Sequence, residues 1–135
     1  MSMILVCGIE SSMPSARDEI QRRRRELQQQ LRALSGKPLM RGSIYPRRRR
    51  CGRRSCACAT DPDALHIGQF LTVFLGGRTR GFHLRAEDEA RARRAIAVYD
   101  RLWTLVNALT ACEVAELRRQ VRERQRERTR RRGRP

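Results

Sequence analysis

Leu65 to Leu84 reads L-H-I-G-Q-F-L-T-V-F-L-G-G-R-T-R-G-F-H-L, two β-forming runs parted by Gly76-Gly77. Alternation puts Phe70, Thr72 and Phe74 on one face of the first run and Leu71, Val73 and Leu75 on the other. Two glycines between such runs suit a two-residue hairpin loop, whose central residues need positive φ. Arg78 to Leu84 then returns as the second strand, in a register that sets Leu71 against Phe82 and Phe70 against His83. A lone hairpin is marginal in water, so this one needs a helix to pack on or a pin to hold it.

A candidate pin lies just upstream. Arg47 to Cys58 reads R-R-R-R-C-G-R-R-S-C-A-C, with Cys51, Cys56 and Cys58 spaced C-x4-C-x-C. Zinc takes four thiolate or imidazole ligands in a tetrahedron. A turn at Gly52 folds Cys51 onto Cys56, while Cys56 and Cys58 share a face if extended. His66, at the foot of the first strand, completes the set; His83, on the returning strand opposite Phe70, is the competing fourth ligand. Iron–sulfur ligation fits less well, since its usual spacings use two- and four-residue gaps and four cysteines. Three reduced thiols that merely fill space, and a thiol-based redox role, are the other readings of this motif. Lys37 to Thr60 otherwise shows no helical period and reads as turns and short extended pieces, and Asp61-Pro62-Asp63 marks a turn.

Helices are expected on both sides. Ser15-Ala16-Arg17-Asp18 has the form of a capping box that opens a helix ending near Leu34, before Ser35-Gly36-Lys37-Pro38. Ile20, Leu27, Leu31 and Leu34 give it a narrow apolar stripe. A longer helix starts near Ala86, with Glu87, Asp88 and Glu89 in its first turn and the pairs Glu87–Arg91 and Glu89–Arg93 four residues apart. Ile96, Tyr99, Trp103, Val106, Thr110, Val114 and Leu117 trace a stripe expected to pack on the hairpin, on the first helix or on another copy. The helix is expected to reach about Arg128 and then fray. The fold class is thus α+β: N-terminal helix, Cys-rich knuckle with β-hairpin, long C-terminal helix. Residues 1–14 read as a disordered leader, residues 15–118 as a single small domain and residues 119–135 as an Arg-rich tail.

The chain has 135 residues, 31 Lys and Arg against 14 Asp and Glu, and a formal net charge of +17. Such charge favours a polyanionic partner and says little about fold. Thirty of these bases are Arg and only Lys37 is Lys, the skew of a GC-rich genome, which explains the choice of Arg but not the net charge. Arg41, Arg47, Arg48, Arg49, Arg50, Arg53 and Arg54 surround the cysteines, with Tyr45 available to stack, and are the candidate nucleic-acid contacts. Arg22 to Arg25 wrap a helix and read as a solvated face; the C-terminal arginines suit a non-specific polyanion arm. Five cysteines without a secretory leader, and an apolar start of only seven residues from Met3 to Ile9, point to a reduced cytoplasmic protein without a membrane span. No paired carboxylates stand near either histidine and no glycine loop cradles phosphate, so an enzyme is not expected.

Met40-Arg41-Gly42-Ser43-Ile44-Tyr45, then Cys51-Gly52, Cys56-Ala57-Cys58, His66, the hairpin segment Gly77-Arg78-Thr79-Arg80 and a long helix with Tyr99 form a combined pattern. Over about residues 38–118 it resembles the prokaryotic proteins grouped as domain of unknown function 6788, often encoded near transposases and other mobile elements. In that family the histidine opens an H-G-P-Y segment, where this chain has His66-Ile67-Gly68-Gln69-Phe70. The resemblance implies a mobile-element setting and strengthens the nucleic-acid expectation. The reading is a nucleic-acid-binding accessory protein, DNA favoured, with a zinc knuckle on Cys51, Cys56, Cys58 and His66. Its rival is a helical protein-interaction module, pairing with itself or another protein, that binds neither metal nor nucleic acid.

Overall fold

A computed structural model describes residues 13–134 of the chain. The leader expected over residues 1–14, and Cys7 within it, fall almost wholly outside the described residues. The elements run α1 (Ala16–Ala33), β1 (Gly42–Arg49), two single-turn 3₁₀ segments (Ala57–Ala59 and Pro62–Ala64), β2 (His66–Leu75), β3 (Arg78–Leu84) and α2 (Ala86–Arg132). They gather into two compact units, residues 31–106 on the one hand and residues 13–30 with 107–134 on the other. No described helix is long and apolar enough to cross a membrane.

The first unit is built on a three-stranded antiparallel sheet of order β1-β2-β3. Gly76 and Gly77 have φ of 56° and 77°, the left-handed values a two-residue hairpin loop demands. The register sets Leu71 against Phe82 and Phe70 against His83, as the alternation predicts. The hairpin is not alone, however. Gly42–Arg49, expected only as short extended pieces, is a full third strand that pairs along β2 from Gly42 opposite Val73 to Arg49 opposite His66. Its Pro46 and its arginines hide the strand signal, yet both suit the sheet edge, where a missing donor and a charged rim cost little.

Leu71 and Val73 are buried on one face of this sheet. The same face meets the start of α2, where Ala92 and Ala95 are buried and the Met40 amide donates to the Ala95 carbonyl at 3.0 Å. Small side chains on α2 allow that close backbone approach. Within one chain the expected stripe is only partly used. Ile96 and Tyr99 are half-buried, but Trp103, Val106, Thr110, Val114 and Leu117 are exposed, while Ala92, Ala95, Leu105 and Cys112 are buried. Weighting large apolar residues overlooks Ala92 and Ala95, whose small side chains are buried at the start of the helix.

The second unit is helical. Ser15 and Asp18 form the expected capping box, the Ser15 hydroxyl accepting from the Asp18 amide at 3.2 Å and the Asp18 carboxylate from the Ser15 amide at 3.2 Å. These bonds, with the Ser15 hydroxyl donor first, hold the Asp18 carboxyl below its ordinary range. Leu27 of α1 and Cys112 of α2 are buried in this unit, and Arg24 pairs with Glu113 at 2.7 Å. The helix α2 continues to Arg132 rather than fraying near Arg128. Glu116 contributes through a bidentate pair with Arg119 at 2.9 Å, and Arg119 also reaches Glu123 at 2.9 Å. At the start of α2, Glu89 pairs with Arg93 at 2.7 Å as expected, whereas Glu87 pairs with Arg85 at 3.6 Å rather than with Arg91.

Candidate metal centre

Three chain segments deliver four donor atoms to one place. Cys51 follows the end of β1, and Gly52, with φ of 83°, turns the chain back sharply after it. The Arg53 carbonyl accepts the Cys56 amide at 3.2 Å, closing that turn. Cys56 then caps the 3₁₀ segment that contains Cys58, so these two thiols converge through a tight turn rather than along the extended piece expected. His66 opens β2, just after the turn in which the Asp61 carboxylate accepts from the Asp63 amide at 2.8 Å.

The donor atoms of Cys51, Cys56, Cys58 and His66 all lie within 4.8 Å of one another. Cys51 and Cys58 sulfurs are 3.5 Å apart, and the Cys56 sulfur is 3.2 Å from His66 Nε2. A tetrahedral zinc site with Zn–S near 2.3 Å and Zn–N near 2.0 Å has S···S edges of about 3.8 Å and S···N edges of about 3.5 Å. The donors therefore already stand near the spacing such a tetrahedron requires. His83 is outside this group; its ring meets Phe70 edge-on, with centroids 5.5 Å apart. The choice of His66 over His83 thus agrees with the geometry.

The electrostatics of the cluster favour a thiolate. Cys51 is lowered to about 6, first by a backbone N–H bond from Arg53 and then by the Cys58 thiol. Cys58 is 1% exposed, and its thiol is raised: the Cys51 amide, which donates to it at 3.4 Å, opposes the rise, but burial and the thiols of Cys56 and Cys51 outweigh that bond. One thiol of the set is therefore primed in the form that binds metal or reacts. A Cys₃His donor set in a closed turn, with no carboxylate among the ligands, fits a structural zinc better than an oxygen-seeking cation.

The seven arginines singled out in the sequence are all exposed, but they do not form one cluster. Arg41 lies with its guanidinium 4.6 Å from the centre of the Phe74 ring, and Arg47 lies 4.7 Å from that of Phe70. Arg48, one residue on, belongs to the opposite face and reaches the Asp63 carbonyl at 3.5 Å. Arg49 is opposite His66, and Arg50, Arg53 and Arg54 surround the cysteine turn. The pairing of arginines with phenylalanines is not legible in the sequence, because it depends on β1 lying beside β2.

These features define a small α+β protein with a candidate Cys₃His metal centre beside a basic sheet. The sequence pattern of the family described as Domain of unknown function (DUF6788) matches residues 17–94, and the chain belongs to that family. The match begins within α1, earlier than the resemblance read from the sequence, ends in α2, and contains the whole sheet and all four donors. No curated protein and no solved structure matches the chain.

Proposed function

We propose that this chain is a non-enzymatic nucleic-acid-binding protein whose cysteine turn is held by one zinc ion on Cys51, Cys56, Cys58 and His66. The observation that carries the reading is the convergence of four soft or borderline donors from three segments to within 4.8 Å. Zinc tied to Cys51, two residues beyond the end of β1, and to His66 at the start of β2 pins the rung where Arg49 meets His66. It also orders a turn that has little apolar material of its own to fold around. Nucleic acid as the partner is supported by the net charge of +17 and by exposed arginines on the sheet and around the turn. Service beside a transposition system is the setting that family resemblance adds.

Mass spectrometry under non-denaturing conditions is expected to find one zinc per chain, lost on Cys56→Ser together with thermal stability. A zinc-free chain that melts at the same temperature as the zinc-loaded one overturns the metal assignment. Affinity for DNA and RNA is expected to fall steeply between about 50 and 200 mM salt, as phosphate contacts release counterions. Binding no tighter than that of a scrambled peptide of equal charge overturns the nucleic-acid assignment.

A second reading has its own observation. Trp103 is 57% exposed and Leu117 58%, with Val114 and Val121 also exposed on α2. Large apolar side chains left on a helix surface favour a protein partner for it, another copy of the chain included.

A further inference from the structure

The three-stranded sheet has two faces, one of which buries Leu71 and Val73 while leaving Ile67, Leu75 and Phe82 exposed. Residues directly opposite in antiparallel strands share a face. The buried face holds Leu71 and Val73. The open face holds Tyr45 opposite Phe70, Phe70 opposite His83, and Phe74 opposite Thr79. Four rings are thus laid out on one side of the sheet. Tyr45 and Phe74 are 41% and 44% exposed, and the Tyr45 and Phe70 centroids are 5.7 Å apart.

The strand beneath Phe70 is shaped for its ring. A Cβ at Gly81 would sit 2.5 Å from the Phe70 ring, so only glycine at that position lets the ring lie against β3. Between Phe70 and Phe74, the hydroxyls of Ser43 and Thr72 pair at 2.8 Å. A shallow pocket of about 250 Å³ opens here, lined by Arg41, Ser43, Thr72, Phe74 and Thr79 among others. Three arginines of β1 and its approach, Arg41, Arg47 and Arg49, share this face, and no described Asp or Glu occupies a paired position on it.

We propose that this open face binds single-stranded nucleic acid, stacking bases on Tyr45, Phe70 and Phe74 and directing Arg41, Arg47 and Arg49 to the phosphates. The proposal rests on the nucleic-acid reading above and gives it a strand type and a surface. Rings on an open sheet face can stack only on bases that are themselves unstacked, which a duplex does not offer. Phe70 and Phe74 are about 13 Å apart along β2 at some 3.3 Å per residue, so a strand laid along it can place separate bases on the two rings. The guanidinium over each phenylalanine is a placeholder. An exposed cation–π contact is weaker than base stacking, and an arginine displaced from its ring gains a phosphate. The chemistry is common to DNA and RNA, and the choice between them falls to contacts with the 2′-hydroxyl, for which Ser43, Thr72 and Thr79 are the nearest partners.

The test uses the full zinc-loaded chain and oligonucleotides of equal length: oligo(dT), oligo(U) and a mixed-sequence duplex. One or both single strands are expected to bind at least about tenfold tighter than the duplex. Tyr45→Leu and Phe74→Leu, which keep apolar bulk and remove the flat ring, are expected to weaken single-strand binding by about five- to a hundredfold each. Duplex affinity and the slope of affinity against salt should not change in these variants. Arg80→Ala, opposite Val73 on the other face, is the control and should leave the preference for single strands intact. Unchanged zinc content and helical signal confirm that each variant is folded. Equal affinity for duplex and single strand, or insensitivity to both leucine variants, overturns the stacking face while leaving basic nucleic-acid binding standing. Absence of salt-dependent binding to all three probes overturns both.

Discussion

Gly77 shows how one residue holds the hairpin. Its φ of 77° is a left-handed value that a side chain with a Cβ adopts at a cost of about 1–2 kcal/mol, more if β-branched. Space is not the obstacle, since nothing lies within 4 Å of a Cβ built there. Gly77→Ala is therefore expected to lower the unfolding free energy by about 1–2 kcal/mol in urea titration without disturbing the metal site. Gly81 is the reverse case, with its constraint set by the Phe70 ring rather than by its own backbone. The first constraint was legible in the sequence, because a Gly-Gly pair between β-forming runs states its own geometry. The second was not, because it depends on where the ring of a residue on the neighbouring strand comes to rest. The metal donors fall between these cases. Cys51, Cys56, Cys58 and His66 could be named from spacing, but the 3₁₀ turn that brings Cys58 inward could not.

Among the elements, α2 adds ion pairs to the apolar contact of its second half. Glu116 accepts from Arg119 and Gln120, and these bonds, Arg119 first, bring its carboxyl down to about 2. Arg119 is raised by the same carboxylate. A folded-state value below the unfolded one means that the ionised group stabilises the fold above about pH 4.5. That contribution is lost as pH falls towards 2. Asp18, lowered by its bonds with Ser15, has the same sign at the start of α1. Circular dichroism is expected to show the melting temperature of the helical signal dropping between about pH 5 and 2. Glu116→Gln should start lower and drop less, and an equal drop in both would remove Glu116 from the account. The strand β1 is the element the sequence hid. Its pattern of Pro46 and consecutive arginines satisfies no strand template, and its eight residues become a strand only because β2 offers a free edge to pair with.

For the whole molecule, the exposed arc of α2 bears on assembly. If Val114, Leu117 and Val121 cover each other across two copies, sedimentation should show a concentration-dependent dimer that Leu117→Glu abolishes. A chain monomeric at all concentrations would leave this arc to a different protein. Such an assembly is separable from the zinc and nucleic-acid predictions, because none of the four donors or three stacking rings lies on α2. The sequence by itself determined the α+β class, the capping box at Ser15, the hairpin and its register, and which four residues, Cys51, Cys56, Cys58 and His66, gather into one cluster. Each is written in a few neighbouring residues whose backbone preferences or chemistry act locally. Only the tertiary structure decided that β1 is a strand, that Arg41 and Arg47 share a face with Phe74 and Phe70, and that α2 packs through Ala92 and Ala95. Those outcomes depend on which surfaces meet. Strand pairing sorts consecutive arginines onto opposite faces, and close backbone approach selects small side chains over large ones.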